Sequence, residues 1–204
     1  MQEPKAKKAI GFFDGQNLYM HAKDAFGYHY PNYDPKKLFE AICAENGWTP
    51  HAVRFYTGVP SVTKDPFWHN FWTRKLLAMR RSGIMVESRP LRYRSTETIL
   101  PDGSNQVTET PTEKGIDIRI ALDIIRLALD DRFDVGVIFS QDQDLAEVVK
   151  EVVQISNSQK RWIRLASAYP AGTKASAGRG INGTDWIKIE KTLYDTCLDP
   201  RDYR

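Results

Sequence analysis

Four aspartates are spaced so that folding could bring them together at one site. Asp14 and Asp142 each come shortly after a run of apolar residues, and Asp144 stands two residues after Asp142. Asp117 lies between them in the sequence, near the start of an apolar segment with helical spacing. Carboxylates that lie close together repel one another unless a cation is bound between them. We therefore take all four as candidate catalytic residues at a metal site.

Aspartate at the end of a strand also has an ordinary structural explanation, because it is a favoured helix cap. For Asp14 alone, a helix cap and a functional carboxylate carry equal weight. Acids at two strand ends, with a third at the start of a helix, are harder to explain by capping alone. The combination favours an acidic metal-binding pocket.

The residue types favour a hard divalent ion over zinc. Mg²⁺ and Mn²⁺ take carboxylate and water oxygens, whereas zinc sites use histidine and cysteine, which do not accompany these aspartates. An ion held by carboxylates can activate a water molecule and neutralise the charge that builds up on a phosphodiester. The predicted chemistry is hydrolysis of a phosphoester bond, most naturally in RNA or DNA.

Neighbouring side chains could support the aspartates. Asn17 and Ser140 offer neutral oxygens. Lys114 stands one helical turn before Asp117, where it could bind a substrate phosphate or pair with an acid and limit repulsion. Asp123 lies about 240° around the same helix from Asp117, so we expect it to pair with a cation rather than to bind metal.

Strands and helices alternate along the chain and must position these residues. The apolar runs predict strands at 9–13, 52–57, 84–87, 135–139, 162–166 and 186–189. Segments between them show helical spacing or helix-start signals such as Asp34-Pro35. This α/β alternation predicts one doubly wound, mostly parallel central sheet flanked by helices. Ligands of such sheets bind at the carboxyl ends of the strands, where Asp14 and Asp142 stand.

The domain organisation follows from the same pattern. Residues 1–8 are expected to be a flexible N-terminus, 9–170 the α/β domain, and 171–204 a Gly-rich loop with a C-terminal extension. Within 90–112 the alternation stops, and turn residues between two short extended runs predict an inserted, exposed β-hairpin. The helix predicted over 116–129 is apolar on more than one side, so neighbours are expected to cover it.

Basic and aromatic residues suggest contacts with nucleic acid. Arg89, Arg92 and Arg94 alternate along the predicted hairpin, while Lys174 and Arg179 lie in the Gly-rich loop. Together they could grip phosphates as a flexible clamp, an interpretation that we weigh equally with a solvated hairpin and loop. Trp68 and Trp72, one helical turn apart, are expected to pack in the core rather than to stack on bases.

Composition places broad limits on the protein. The 204 residues are 41% hydrophobic and 27% charged, which is ordinary for a globular domain. A formal net charge of +3 permits a polyanionic partner without requiring one. Cys43 and Cys197 lack the spacing of a zinc site or a disulfide framework. There is no membrane-length apolar run and no signal-peptide core, so we expect a soluble protein of the cytoplasm that does not contact membranes.

Three motifs, in this order, resemble those of a known family. They are FFDGQN at 12–17, KGIDIRIALD at 114–123 and SQDQDL at 140–145. They resemble the NYN domain, in its bacterial LabA-like branch, within the PIN-like nuclease superfamily. Its members typically have a strand ending Asp-Gly-x-Asn, a helix opening Lys-Gly-x-Asp and a strand ending Ser-Gly-Asp-x-Asp-Phe. Gln141 departs from that pattern, and its longer side chain could narrow access to the pocket.

The resemblance implies a Rossmann-like PIN domain and a metal-dependent ribonuclease, most simply an endoribonuclease. It implies Mg²⁺ or Mn²⁺ as the cofactor, bound by Asp14, Asp117 and Asp142. Asp144 would orient the attacking water or a second ion, and Asn17 would support the site. RNA, single-stranded or structured, is favoured over DNA as the substrate, and a homodimer is left open.

Other functions compete with this one. An RNA-binding or regulatory module could retain the acidic pocket without turnover. A phosphatase of the aspartate type would need a second Asp two residues after Asp14, where Gln16 stands. A topoisomerase-primase site would need Glu in place of Asp14. The last two are disfavoured.

Overall fold

The structure, a computed structural model, describes residues 1–99, 104–172 and 178–204. Its strands are β1 (Lys7–Asp14), β2 (Trp48–Val59), β3 (Met85–Pro90), β4 (Arg92–Ile99), β5 (Asn105–Thr112), β6 (Val135–Phe139), β7 (Arg164–Ala171) and β8 (Asp185–Glu190). Its helices are α1 (Gly15–Phe26), α2 (Pro35–Asn46), α3 (Pro66–Arg81), α4 (Ile116–Leu129), α5 (Ala146–Gln159) and α6 (Lys191–Thr196). None of these helices has the length and apolar character needed to cross a membrane.

The described residues form a six-stranded sheet in the order β3-β2-β1-β6-β7-β8, with every neighbouring pair parallel. β4 and β5 pair antiparallel in a separate hairpin. The predicted α/β fold with a parallel sheet and an inserted hairpin is therefore confirmed. The chain builds outward from β1 to β3, then returns to the other side of β1 to form β6. In open sheets, the crevice at such a reversal is where ligands bind.

The core is split between the two faces of this sheet. Along β1, Phe13 packs on the face covered by α1, α2 and α3, whereas Phe12 packs on the face covered by α4 and α5. Phe13 stacks on Phe139 of β6, with ring centroids 3.7 Å apart. Because the side chains alternate, a slip of one residue would exchange the two faces, so this packing fixes the register of β1.

Five of the six strands of the sheet extend beyond their predicted bounds, for example at the start of β1 and at the end of β7. β1 begins at Lys7 rather than at residue 9, since Lys8 pairs with Thr49 and its N–H donates to the Asp134 carboxylate at 2.8 Å. β7 continues to Ala171, which pairs with Glu190 and so lies in the sheet rather than in the predicted Gly-rich loop. Of the hairpin turn predicted at 101–105, residues 101–103 lie outside the described residues, as does Lys174, whereas Asn105 begins β5.

The expectation that neighbours cover α4 is wrong for one side of the helix. Ile120 and Ile124 are buried, but Ile118, Leu122 and Leu129 are 60%, 56% and 53% exposed. On its face of the sheet, α4 packs against β1, β2 and α5. The segment that precedes it in the sequence is the hairpin, not another helix, and this leaves the outer side of α4 uncovered.

Candidate active site

A cleft of about 550 Å³ opens where the carboxyl ends of β1 and β6 meet the start of α4. Its lining contains three of the predicted acids together with cationic side chains. The lining residues are Asp14, Arg89, Arg92, Glu113, Lys114, Gly115, Ile116, Asp117, Ile118 and Asp142. We refer to this as the acidic cleft. Residues that are distant in sequence thus converge on one crevice.

Asp14 is both a helix cap and a wall of the cleft. It ends β1, and its Oδ1 accepts a hydrogen bond from the Asn17 N–H at 3.0 Å at the start of α1. Its Oδ2 accepts from the Ser140 hydroxyl, which follows β6, at 3.4 Å. The side chain is buried. Asp14 therefore caps α1 and also lines the cleft, so the cap does not conflict with the predicted functional role.

Hydrogen bonds tie the loop after β6 to the end of β1 and the start of α1. The Asn17 side-chain oxygen accepts from the Gln141 N–H at 3.0 Å. The Asp142 N–H donates to the Ser140 hydroxyl at 3.2 Å, and the Asp142 carboxylate accepts from the Asp144 N–H at 3.0 Å. Asn17 and Ser140 thus hold the two strand ends together. Both residues lie beside Asp14 and the loop that carries Asp142, as expected of residues that support a metal site there.

The segment before α4 brings a fourth acid that the sequence analysis missed. Glu113 follows the hairpin, and its carboxylate accepts a hydrogen bond from the Gly58 N–H at the end of β2. Gly115 then takes a left-handed conformation (φ 78°), and the Arg89 guanidinium lies where a side chain at 115 would project. This turn directs both Glu113 and Asp117 into the acidic cleft. The available signal was an acid directly before the Lys-Gly-x-Asp motif.

Burial and mutual repulsion make the acidic cleft electrostatically unusual. Desolvation, reinforced by the nearby charge of Asp142, raises the pKa of Asp14 to about 6. Desolvation and the charges of Asp14 and Asp117 raise the pKa of Glu113 to about 7, although the Gly58 N–H opposes this rise. Within the described chain, no Lys, Arg or His forms an ion pair with these four acids.

The oxygen ligands that the acidic cleft offers suit a hard divalent cation, but the side chains that carry them must move before they can share one ion. The oxygens of Asp14, Glu113, Asp117 and Asp142 are the ligands that Mg²⁺ and Mn²⁺ prefer. A cation among them would relieve the repulsion that adds to desolvation in raising the pKa values of Asp14 and Glu113. In the portion of the chain that the structure describes, however, no three Asp, Glu, His or Cys side chains form a ready-made cluster. One shared ion therefore requires rotation of these side chains.

The other predicted site residues divide into two groups. Arg89, Arg92 and Lys114 line the acidic cleft. Asp144, Arg94 and Arg179 are exposed and do not line the cleft. The cations that do line it are placed to contact the phosphates of a bound ligand.

Asp123 points away from the acidic cleft, as its position on the helix predicted. Its carboxylate is buried and accepts from Arg54 at 3.0 Å, from Arg119 at 2.8 Å and from the Tyr56 hydroxyl at 2.8 Å. Arg126 lies 3.3 Å away. The prediction that Asp123 pairs with cations is confirmed.

Gln141 does not line the acidic cleft. Its side-chain amide donates to the Arg179 carbonyl at 2.7 Å, and the Gln143 amide donates to the Gly180 carbonyl at 3.1 Å. Both glutamines therefore anchor the segment that leads into β8, and the narrowing that a long side chain could cause at position 141 is not observed.

We expect Gln141→Gly to lower stability modestly and to leave access to the acidic cleft unchanged. The lost hydrogen bond and the added backbone freedom together cost about 1–2 kcal/mol. Thermal melting measures this loss, and the metal-dependent nuclease rate gives the effect on access. A tenfold or greater gain in rate would show instead that the glutamine obstructs the cleft.

The reversed strand order and the acids at its switch point define a Rossmann-like α/β domain of the PIN-like nuclease type. The NYN domain family model matches residues 8–176, and the chain belongs to that family. NYN domains are generally nucleases, and PIN-like nuclease domains usually use divalent metal ions.

One solved structure with a TM-score above 0.5 supports the fold. The chain is similar to a protein of unknown function from Vibrio parahaemolyticus, with 21% identity and a TM-score of 0.58, covering 94% of this chain and 98% of that one. A more distant similarity, to ribokinase from Giardia lamblia, has 11% identity and a TM-score of 0.38, covering 83% of this chain and 50% of that one. No curated protein matches the sequence.

Proposed function

We propose that this protein is an endoribonuclease that depends on Mg²⁺ or Mn²⁺ and cleaves RNA in the acidic cleft. One observation carries the proposal. Asp14, Asp117 and Asp142, from two strand ends and a helix start, line one cleft, and among the described residues no Lys or Arg neutralises them through an ion pair. Such a group of carboxylates is suited to a cation and to chemistry at phosphate.

Asp14, Asp117 and Asp142 would hold the ion, with Glu113 close enough to join them. A bound divalent ion supplies Lewis-acid polarisation of a phosphate oxygen and lowers the pKa of water. The chain itself positions the substrate. Arg89, Arg92 and Lys114 would contact phosphates along the rim, an arrangement that recognises the backbone more than the bases.

Asn17 and Ser140 keep the strand ends in register, so that the carboxylates of Asp14 and Asp142 stay on the same side of the crevice. Asp144, which is exposed, would act only in support, for instance by orienting a water at the mouth of the cleft.

The LabA-like branch is supported by the three sequence motifs, and residue 141 departs from that pattern. RNA as the favoured substrate, the cytoplasm as the compartment and a possible homodimer belong to the same proposal.

One observation favours a second function, an RNA-binding or regulatory module without turnover. The acids in the described part of the chain do not form a ready-made metal cluster. A module of this kind would bind RNA saturably without cleaving it. Binding would weaken when Arg92 and Arg94, both exposed on β4, are changed to alanine.

The nuclease proposal predicts cleavage of single-stranded or structured RNA in Mn²⁺ or Mg²⁺ and none in a chelator. Incubation with labelled RNA and matched DNA, followed by gel separation of the products, measures this. Asp142→Asn is expected to be inactive, which excludes a contaminating nuclease, whereas Asp144→Asn should retain more activity because its side chain is outside the cleft. Saturable binding with no cleavage under any metal condition would favour the second function.

A further inference from the structure

A small apolar pocket lies beside the acidic cleft and takes no part in the chemistry proposed above. It has a volume of about 190 Å³. Its walls are mainly aromatic and proline side chains: Tyr19, Pro31, Pro60, Trp68, Trp72 and Leu91. Pockets for drug-sized ligands are larger, about 300–1,000 Å³, so this one suits a single planar ring system. We refer to it as the aromatic pocket.

The walls of the aromatic pocket are fixed before any ligand binds. The Tyr19 hydroxyl donates to the His29 carbonyl at 2.7 Å. Trp68 packs edge-on against Phe71, with ring centroids 5.1 Å apart, and Trp72 is almost fully buried. Trp72 is thus a core residue, as predicted, whereas Trp68 also presents its ring to the aromatic pocket. A rigid apolar wall binds a flat ring without a large ordering cost.

The backbone of Gly58 connects the aromatic pocket to the acidic cleft. Gly58 lines the aromatic pocket, and its N–H donates to the carboxylate of Glu113, which lines the cleft. A Cβ at position 58 would collide with both Leu91 and Glu113. Gln16, an exposed residue of the aromatic pocket, stands two positions after Asp14. A ligand that fills both sites must combine an anionic group with an adjacent flat ring.

We propose that the aromatic pocket binds one unpaired base of the strand whose phosphate lies in the acidic cleft. This inference rests on the proposed function. Bases pack on aromatic side chains irrespective of sequence, and the Gln16 carboxamide, which both donates and accepts, can meet a base edge. A base in a duplex is stacked and paired and cannot enter, so the pocket selects single strands, loops or bulges.

Abasic scanning tests the inference on the wild-type protein. Short single-stranded RNAs, each lacking the base at one position, are titrated by fluorescence anisotropy in Ca²⁺, a hard cation that the carboxylates can bind, and gel separation checks that the RNA stays intact. Loss of the base that enters the pocket is expected to weaken binding by about 5- to 150-fold, because stacking of one base on aromatic side chains contributes that much. Equal binding of all the abasic strands would overturn the inference.

Met20→Trp tests the pocket itself. Met20 lines the aromatic pocket and is 47% exposed, so a larger ring there should fill the space without disturbing the core. Met85→Trp is the matched control, since Met85 is 52% exposed and begins β3, at the end of the sheet away from the cleft. The loss of RNA affinity caused by removing one particular base should disappear in Met20→Trp and persist in Met85→Trp. The same pattern in both variants would contradict the assignment.

Cleavage, assayed separately in Mn²⁺, distinguishes the two proposals. Metal-dependent cleavage without any effect of base removal on binding would support the nuclease proposal and reject the base pocket. If removing one particular base weakens binding but no RNA is cleaved, the base pocket is supported as part of a binding module and the nuclease proposal is rejected. Gln16→Ala, at an exposed position, should alter which base is preferred at that position, and an unchanged preference would remove the role assigned to Gln16.

Discussion

Asp14→Asn is expected to abolish metal-dependent cleavage and, in the absence of metal, to make the protein more stable at neutral pH. Asparagine can still cap α1 through its side-chain oxygen, so the hydrogen bond from the Asn17 N–H is retained. What is lost is a carboxylate proposed to bind the ion. We expect a fall in rate of more than about 100-fold, because even residues that only support a metal ligand typically contribute 10- to 100-fold.

The gain in stability follows from the pKa of Asp14, which burial raises from 3.8 to about 6. A carboxyl group with a raised pKa favours folding fully below its unfolded pKa, near pH 4, and loses this contribution as pH rises through 6. At pH 8 the ionised group opposes folding by about 3 kcal/mol, at 1.36 kcal/mol per pKa unit. Because Asn cannot ionise, the variant should melt several degrees above the wild type at pH 8 and nearly level with it at pH 4.

Thermal melting in chelator and in Mn²⁺, at both pH values, measures these effects. Mn²⁺ should stabilise the wild-type protein and not Asp14→Asn. Asp34→Asn is the matched control, because Asp34 also caps a helix, accepting from the Lys36 N–H at 2.9 Å, but lies outside the acidic cleft. It should keep both the activity and the response to Mn²⁺. An Asp14→Asn protein that still gained stability from Mn²⁺ would remove Asp14 from the metal site.

The positions of Asp14 and Asp142 could be predicted because they depend on a general property of parallel sheets. Each strand was recognisable as a buried apolar run, and the carboxyl ends of neighbouring parallel strands lie at one edge. The prediction needed only that β1 and β6 be neighbours. The family motifs and the alternation of strands and helices both favoured that arrangement.

Glu113 could not be placed in this way because its position depends on the path of the hairpin. Nothing in a local pattern indicates that the chain leaving β5 passes the end of β2, where the Gly58 N–H binds the Glu113 carboxylate. The aromatic pocket has the same origin. Leu91 precedes β4 and Pro111 lies in β5, whereas Tyr19 and Trp68 come from α1 and α3. Such a juxtaposition is a property of tertiary packing rather than of periodicity.

The prediction that neighbours cover α4 was wrong for a related reason. Apolar residues on several sides of a helix usually indicate several neighbours, but periodicity cannot say which neighbours exist. Ile118 and Leu122 remain exposed because the chain forms a hairpin where another helix could have packed. Asp123, in contrast, was predictable. Its angle from Asp117 depends only on the geometry of the helix that carries both.

Asp123→Asn is expected to destabilise the fold by about 3–5 kcal/mol, the typical effect of removing one partner of a buried ion pair. Arg54 is 8% exposed, and its guanidinium is 3.0 Å from the Asp123 carboxylate. Asparagine would leave that cation buried without a counter-charge. Urea unfolding followed by circular dichroism measures the loss. Arg126→Ala is the comparison, since Arg126 is exposed and should contribute only about 0–1 kcal/mol.

The reason for this cost can be tested by removing both charges. Replacing Asp123 with Leu and Arg54 with Met together should restore much of the stability lost in Asp123→Asn, since apolar pairs of similar volume often match buried ion pairs. The Tyr56 hydroxyl, which donates to Asp123, would lose its partner, so recovery should be incomplete.

Asp123 shares α4 with Asp117 but points away from the acidic cleft. We therefore expect Asp123→Asn to lower activity only by reducing the folded fraction, with KM unchanged. A changed KM at full folding would show instead that the Asp123 network positions the acidic cleft.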